Sequence, residues 1–233
     1  MKLRMTFVLI HSPLVGLVTW SLVAEELRSR GYGVVTPELI DNGESPFWRQ
    51  HVDAVVLACE DVVDGEAIIL VGHSAAGLLL PSIAAAMPGP VAASLFVDAG
   101  FPIDGLSRLD VIDREDSALG RRFRELLANG GTFPNWTDAD LASIVPDAAM
   151  RSALLQDLRP RALPFYTEPV PAPQNWMSGP AGYLQFGDAY DRTVARIDDW
   201  PVTKLAAGHF HQLVDPVETV DAMLDLVARM AIN

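Results

Sequence analysis

The stretch LVGHSAAGLLLP, residues 70–81, decides how the chain is read. An apolar run from Ala67 to Val71 leads into it and an alanine-rich run to Met87 leaves it, so Gly72-His73-Ser74-Ala75-Ala76-Gly77 sits between an expected strand and an expected helix. Read as G-x-S-x-G, this is the turn that lifts a nucleophilic serine above a sheet edge. The glycines two before and three after Ser74 have a physical task. They leave out side-chain bulk where strand and helix approach each other around a serine held in an unfavourable backbone conformation. Serine is also a good helix N-cap, which would explain Ser74 without chemistry; the strand in front of it favours the nucleophile.

Outward from this turn, short apolar runs alternate with helix-like stretches. The runs are Thr6 to Ile10, Gly33 to Thr36, Ala67 to Val71, Ser94 to Val97, Tyr183 to Phe186 and Val202 to Leu205. Helices are expected over Gly16 to Arg30, Phe47 to Val63, Ala75 to Met87, Tyr190 to Asp198 and Pro216 to Met230. The last carries Val217, Val220, Met223, Leu224 and Val227 at helical spacing. This is the pattern of an α/β fold, a mostly parallel sheet with helices on both faces. From Phe101 to Phe165 the strands vanish, and DREDSALGRRFRELL and TDADLASIVPDAAMRSALLQDL suggest three short amphipathic helices, read as a helical cap (101–165) inserted into a single domain over residues 1–233. PFYTEPVPAPQNW leads back to the sheet as a linker.

Bulk properties narrow the partners. The formal charge of −13, with no Lys/Arg run, opposes nucleic acid. MKLRMTFVLIHSPLVGLV imitates a secretion signal, but His11 and Pro13 interrupt its apolar run and the segment is needed as the first core strand. No apolar run reaches the length of a membrane span. The one cysteine, Cys59, cannot form an internal disulfide and reads as a packed thiol. A cytoplasmic protein acting on a small molecule is expected, with oligomeric state open.

A serine needs a base. Of the five histidines, His209 in AAGHFHQLVDP follows a short strand and precedes the C-terminal helix, which puts it on a loop above the same sheet edge as Ser74. His211 would point elsewhere, and His209-x-His211 has no third ligand at a metal-like spacing. His51 is expected at the surface of its helix, His73 as a support of the serine turn, and His11 as a shaper of the loop after the first strand.

Together, VLIHSPLVGLVTW, LVGHSAAG and GHFHQLVDP resemble the α/β-hydrolase superfamily over nearly the full chain. Within it they are similar to the compact serine esterases and hydroxynitrile-lyase-like enzymes with a helical cap. The resemblance implies a Ser-His-Asp triad, no metal and no cofactor. For the acid, Asp98 in SLFVDAGFP ends the strand beside the nucleophile strand, a placement similar to that in haloalkane dehalogenases and pancreatic-type lipases. Asp188 in YLQFGDAYD ends the next strand, the commoner place, but only 21 positions before His209. Asp98 is slightly preferred, Asp188 is kept and Asp191 stands third. The resemblance also implies an oxyanion hole made by the N–H of Ala75 and an N–H after the first strand. There relatives read His-Gly-X, whereas this chain has His11-Ser12-Pro13, and proline has no N–H. Leu14 could take over after a loop shift, the Ser12 hydroxyl could substitute, or the hole could lack a donor. An esterase, thioesterase or lactonase is the first reading; a lyase or cyclase-like enzyme and a non-catalytic receptor are the alternatives. Phe101, Leu106, Phe123, Phe133, Trp136 and Phe165 are expected either to line an apolar pocket under the cap or to pack the cap onto the body.

Overall fold

The computed structural model describes residues 4–62 and 66–230. Val63, the expected end of the second helix, and the first three residues of the signal-like stretch lie outside these. Six strands form one sheet: β1 (Met5–Ile10), β2 (Gly33–Val35), β3 (Ala67–His73), β4 (Val91–Val97), β5 (Ala181–Gln185) and β6 (Val202–Lys204). All pair in parallel, in the order β2-β1-β3-β4-β5-β6.

Alternation along the central strands builds two cores. Phe7 and Leu9 of β1, Ile69 and Val71 of β3, and Leu95 and Val97 of β4 face one apolar cluster; Val8, Ile10, Ile68, Leu70 and Phe96 face the other. A strand with both faces covered reads as a continuous apolar run, as these do. The first cluster is closed by α1 (Ser21–Ser29) and α11 (Pro216–Arg229), the second by α2 (Phe47–Ala58) and α3 (Leu80–Ala86). In α11 the buried stripe is Thr219, Val220, Met223, Leu226 and Val227. Val217 is exposed, contrary to expectation, because it lies seven residues before the half-buried Leu224, on the edge of the stripe that the sheet does not reach.

Between β4 and β5 the chain carries five helices where three were expected: α4 (Arg108–Glu115), α5 (Ser117–Ala128), α6 (Asp138–Leu141), α7 (Ala148–Gln156) and α8 (Leu163–Thr167). The two shortest have too few residues to show a period. The Thr137 hydroxyl nevertheless accepts from the Asp140 N–H while the Asp140 carboxylate takes the Thr137 N–H, a reciprocal cap for α6. These helices are tied to the body by polar contacts. Asp157 Oδ2 accepts from the Val18 N–H at 2.9 Å, and the Glu168 carboxylate takes the N–H groups of Phe47 and Trp48, both at 2.8 Å, where α2 begins. Short helices α9 (Asp191–Val194) and α10 (His211–Val214) follow β5 and β6.

Candidate active site

The Ser74 turn leaves β3 with φ +57°, a left-handed backbone that a side-chain-bearing residue adopts only when its surroundings enforce it. Those surroundings are tight. A Cβ on Gly72 would come within 2.9 Å of the Leu80 side chain, and one on Gly77 within 2.4 Å of the Gly100 carbonyl oxygen. Counted strictly, the second residue after Ser74 is Ala76 and not glycine, so the match to G-x-S-x-G is one residue out. The Ala76 methyl is accommodated in the core, and the bulk-free position is 77, where the turn meets the backbone after β4.

That neighbouring backbone carries Asp98, also left-handed at φ +42°. Its N–H donates to Leu184 O at 2.7 Å, and Tyr183 clamps the next residue by accepting from the Ala99 N–H and donating to its carbonyl. Asp98 Oδ1 accepts the Phe186 N–H at 2.9 Å, leaving Oδ2 for His209 Nδ1 at 2.6 Å. His209 Nε2 then lies 3.0 Å from Ser74 Oγ. Burial raises the Asp98 carboxyl, but the His209 hydrogen bond and charge and the Phe186 N–H outweigh it and hold the group below the ordinary aspartate range. The structure therefore brings Ser74, His209 and Asp98 into one hydrogen-bonded chain and leaves Asp188 and Asp191 outside it. Both pair with Lys204, and the Asp188 side chain is 85% exposed. The reason is side-chain placement. Both aspartates follow strands at the same sheet edge, but the Asp98 carboxylate is fixed by its left-handed turn and the Phe186 N–H, whereas the Asp188 side chain is turned out to solvent and Lys204.

The other histidines divide by environment. His73 is buried, and its Nε2–H donates to the His209 carbonyl at 2.8 Å, so it supports the His209 loop more directly than the serine turn. His11 Nε2 accepts from the Leu39 N–H, and its Nδ1–H donates to Ser12 O. His51, expected at the surface, is fully buried with Nε2 2.9 Å from Asp41 Oδ2: it occupies the core-facing side of α2, where a single-residue reading of polarity points the wrong way. Burial pushes His11 and His51 down to about 4; burial, then repulsion by His209, pushes His73 to about 3. His211 faces Glu218.

The loop after β1 is tied at every turn. The Val15 N–H donates to Ser12 O, Arg161 Nε to Pro13 O at 3.2 Å, and the Arg159 N–H to Leu14 O. The Leu14 N–H is engaged by Ser12 Oγ at 3.3 Å. Ala75 is the second residue of the 3₁₀ turn Ser74–Leu78, in the first turn, where backbone N–H groups lack intrahelical acceptors.

Ser12, Leu14, Ser74, Ala75 and His209 face one cavity of about 660 Å³, roofed by the helices between β4 and β5. Phe123, Phe133 and Trp136 line it, whereas Phe101 and Leu106 pack into the core and Phe165 is buried behind the wall. Two lining residues escaped the sequence reading. Tyr190 stacks on His209 with ring centroids 6.0 Å apart, and Arg108 is a buried cation in the cavity wall. Tyr190 was visible only as a helix start, and nothing in the sequence set Arg108 apart from the other residues of the cap. Among the described residues no three His, Cys, Asp or Glu side chains are grouped to hold a metal, and no helix is long and apolar enough to cross a membrane.

Esterase PIR7B of rice is 31% identical over 110 residues, 42% of this chain and 40% of that protein. Lipase LipV of Mycobacterium tuberculosis is 33% identical over 86 residues, 34% of this chain and 32% of that protein. The matches thus span less than half of either curated relative. An extracellular α/β-hydrolase from a Paenibacillus species, described as sharing structural and functional homology with tobacco salicylic acid binding protein 2, superposes with a TM-score of 0.76. It is 22% identical, with 96% of this chain and 99% of that one covered, a likeness of fold. A sequence model of the alpha/beta hydrolase family matches residues 7–222, and with strand order and turn in agreement the chain belongs to that family.

Proposed function

We propose that this protein is a serine hydrolase that cleaves a carboxylic ester of a small, largely apolar molecule. The observation that carries this is the chain Ser74 Oγ, His209 Nε2, His209 Nδ1, Asp98 Oδ2, with spacings of 3.0 and 2.6 Å, opening on the cavity. A neutral His209 with its proton on Nδ1, held there by Asp98, accepts the Ser74 proton as the oxygen attacks the ester carbonyl. The resulting imidazolium protonates the departing alcohol, and water, deprotonated in turn by His209, releases the acid.

Ala75 supplies one N–H for the oxyanion. For the second donor the Ser12 hydroxyl is favoured over the Leu14 N–H, since Leu14 spends its hydrogen on Ser12 Oγ and thereby leaves the hydroxyl proton of Ser12 to point at substrate. The names of the rice esterase and the mycobacterial lipase support ester hydrolysis. A fluorophosphonate should label Ser74, located by mass, and p-nitrophenyl ester turnover should vanish in Ser74→Ala and His209→Ala. Labelling without turnover would count against ester hydrolysis, and no labelling would favour a lyase or cyclase-like enzyme or a receptor.

A further inference from the structure

Two arginines flank the buried Phe165 ring, the Arg108 guanidinium 4.1 Å from its centroid and that of Arg161 5.2 Å. Their hydrogen bonding is unequal. Arg161 pairs with Asp41 at 2.8 Å and donates to Pro13 O. Arg108, 3% exposed, gives Nη1 to the Phe165 carbonyl at 3.2 Å, while its Nε and Nη2 have no partner among the described residues. The carboxylate with the strongest pull on it, Glu168, forms no ion pair with it and is already engaged by the Ser45 hydroxyl and by the N–H groups of Phe47 and Trp48. Burial pushes the guanidinium down to about 10, which leaves it charged at neutral pH.

An unpaired buried cation is costly, and nothing in the packing of Phe165 requires one. Nε–H and the adjacent Nη2–H form the side edge of the guanidinium, the fork that grips a carboxylate with two parallel hydrogen bonds. Arg108 stands in the wall of the cavity that contains Ser74 and His209. We propose that the Nε/Nη2 edge of Arg108 binds a carboxylate of the substrate, so that the esters cleaved are those of molecules carrying a second, ionised carboxyl group. This rests on the ester hydrolase reading above. Both nitrogens are closed off from solvent here, so seating the carboxylate requires side chains at that end of the cavity to change rotamer.

The test compares monomethyl glutarate, adipate and suberate with their dimethyl diesters. For the best chain length the native protein should favour the hemiester in kcat/KM by about tenfold or more, as expected for a charge-assisted pair. The preference should fall to about one in Arg108→Gln and be partly kept in Arg108→Lys, which retains charge without the fork. A binding arm uses Ser74→Ala protein: the hemiester should raise its Tm where the diester does not, and the rise should disappear in Ser74→Ala/Arg108→Gln. Ser74-dependent cleavage of diesters with no hemiester preference would overturn the carboxylate site and leave the hydrolase standing. Absence of any cleavage together with the Arg108-dependent Tm rise would sink the hydrolase and keep the site, and no Tm rise would overturn the site whatever the turnover. If Arg108→Gln does not fold, the native hemiester ratio and the Tm arm with Arg108→Lys still decide.

Discussion

Replacing Asp98 by Asn tests the hydrogen-bonded chain at its most informative point. The two carboxylate oxygens have separate tasks, Oδ1 accepting the Phe186 N–H at 2.9 Å and Oδ2 facing His209 Nδ1 at 2.6 Å. An asparagine amide has only one acceptor oxygen. If that oxygen keeps the Phe186 N–H, the NH₂ group faces Nδ1, which must then be the acceptor. The imidazole proton moves to Nε2, and His209 can no longer take a proton from Ser74. The same substitution in a serine protease triad lowers kcat by about 10⁴, or about 5.4 kcal/mol at 1.36 kcal/mol per decade. A loss of that order is expected here with KM little changed, read with p-nitrophenyl butyrate at pH 8. The side chain of Asp188, 85% exposed beside Lys204, supplies the internal comparison, and Asp188→Asn should stay within about twofold. Asp98→Asn retaining activity within tenfold of native, or both variants falling together, would refute the assignment of Asp98 as the partner of His209.

Acid should unfold the protein early. His11, His51 and His73 have folded values of about 4, 4 and 3 against about 6.5 unfolded, so the unfolded chain binds more protons and their contribution, fully present above 6.5, is lost as pH falls toward 4. Each is worth up to about 1.4 kcal/mol per pH unit, so Tm should drop steeply between pH 6 and 4, and a flat Tm over that range would contradict their neutral burial. Gly77→Ala, whose methyl meets the Gly100 carbonyl and Ala99, should cost ~3 kcal/mol in urea unfolding, and Gly72→Ala, whose nearest contacts are atoms of the Leu80 side chain, ~1; equal costs would mean the backbone contact gives way easily. Ser12→Ala should lower kcat by about 10² if its hydroxyl serves the oxyanion, whereas a change confined to KM would remove it from that role.

The parts legible in the sequence are those whose signal is local. A strand, a serine between small residues and a helix form one continuous stretch, and the turn they make is decided within about fifteen residues. The parallel sheet covered on both faces required only that short apolar runs alternate with helices. The choice between Asp98 and Asp188 was open because both end strands at the same sheet edge. It is made by the left-handed turn that aims the Asp98 carboxylate at the histidine loop and by the pairing of Asp188 with Lys204, neither of which a single residue encodes. His51 was misplaced for the related reason that its polarity is matched by Asp41 ten positions away. The cap resisted further, since which of its aromatics faces the cavity depends on how five short helices pack.

The loop after β1 shows how a departure from the family pattern can be absorbed. Proline at position 13 removes an N–H from the place where His-Gly-X relatives have one, yet it also fixes the local backbone, and Arg161 and Arg159 hold the Pro13 and Leu14 carbonyls from the cap side. With Ser12 O, Pro13 O and Leu14 O all engaged, the loop has little freedom to swing the Leu14 N–H toward substrate, and that hydrogen is already directed at Ser12 Oγ. A hydroxyl that accepts from a fixed backbone N–H is itself oriented, because its remaining proton must point away from that donor. If the Ser12 hydroxyl serves the oxyanion as proposed, a side-chain donor replaces a backbone one without loss of preorganisation, and the connection between α7 and α8, which carries Arg159 and Arg161, sets the geometry of the loop beneath it.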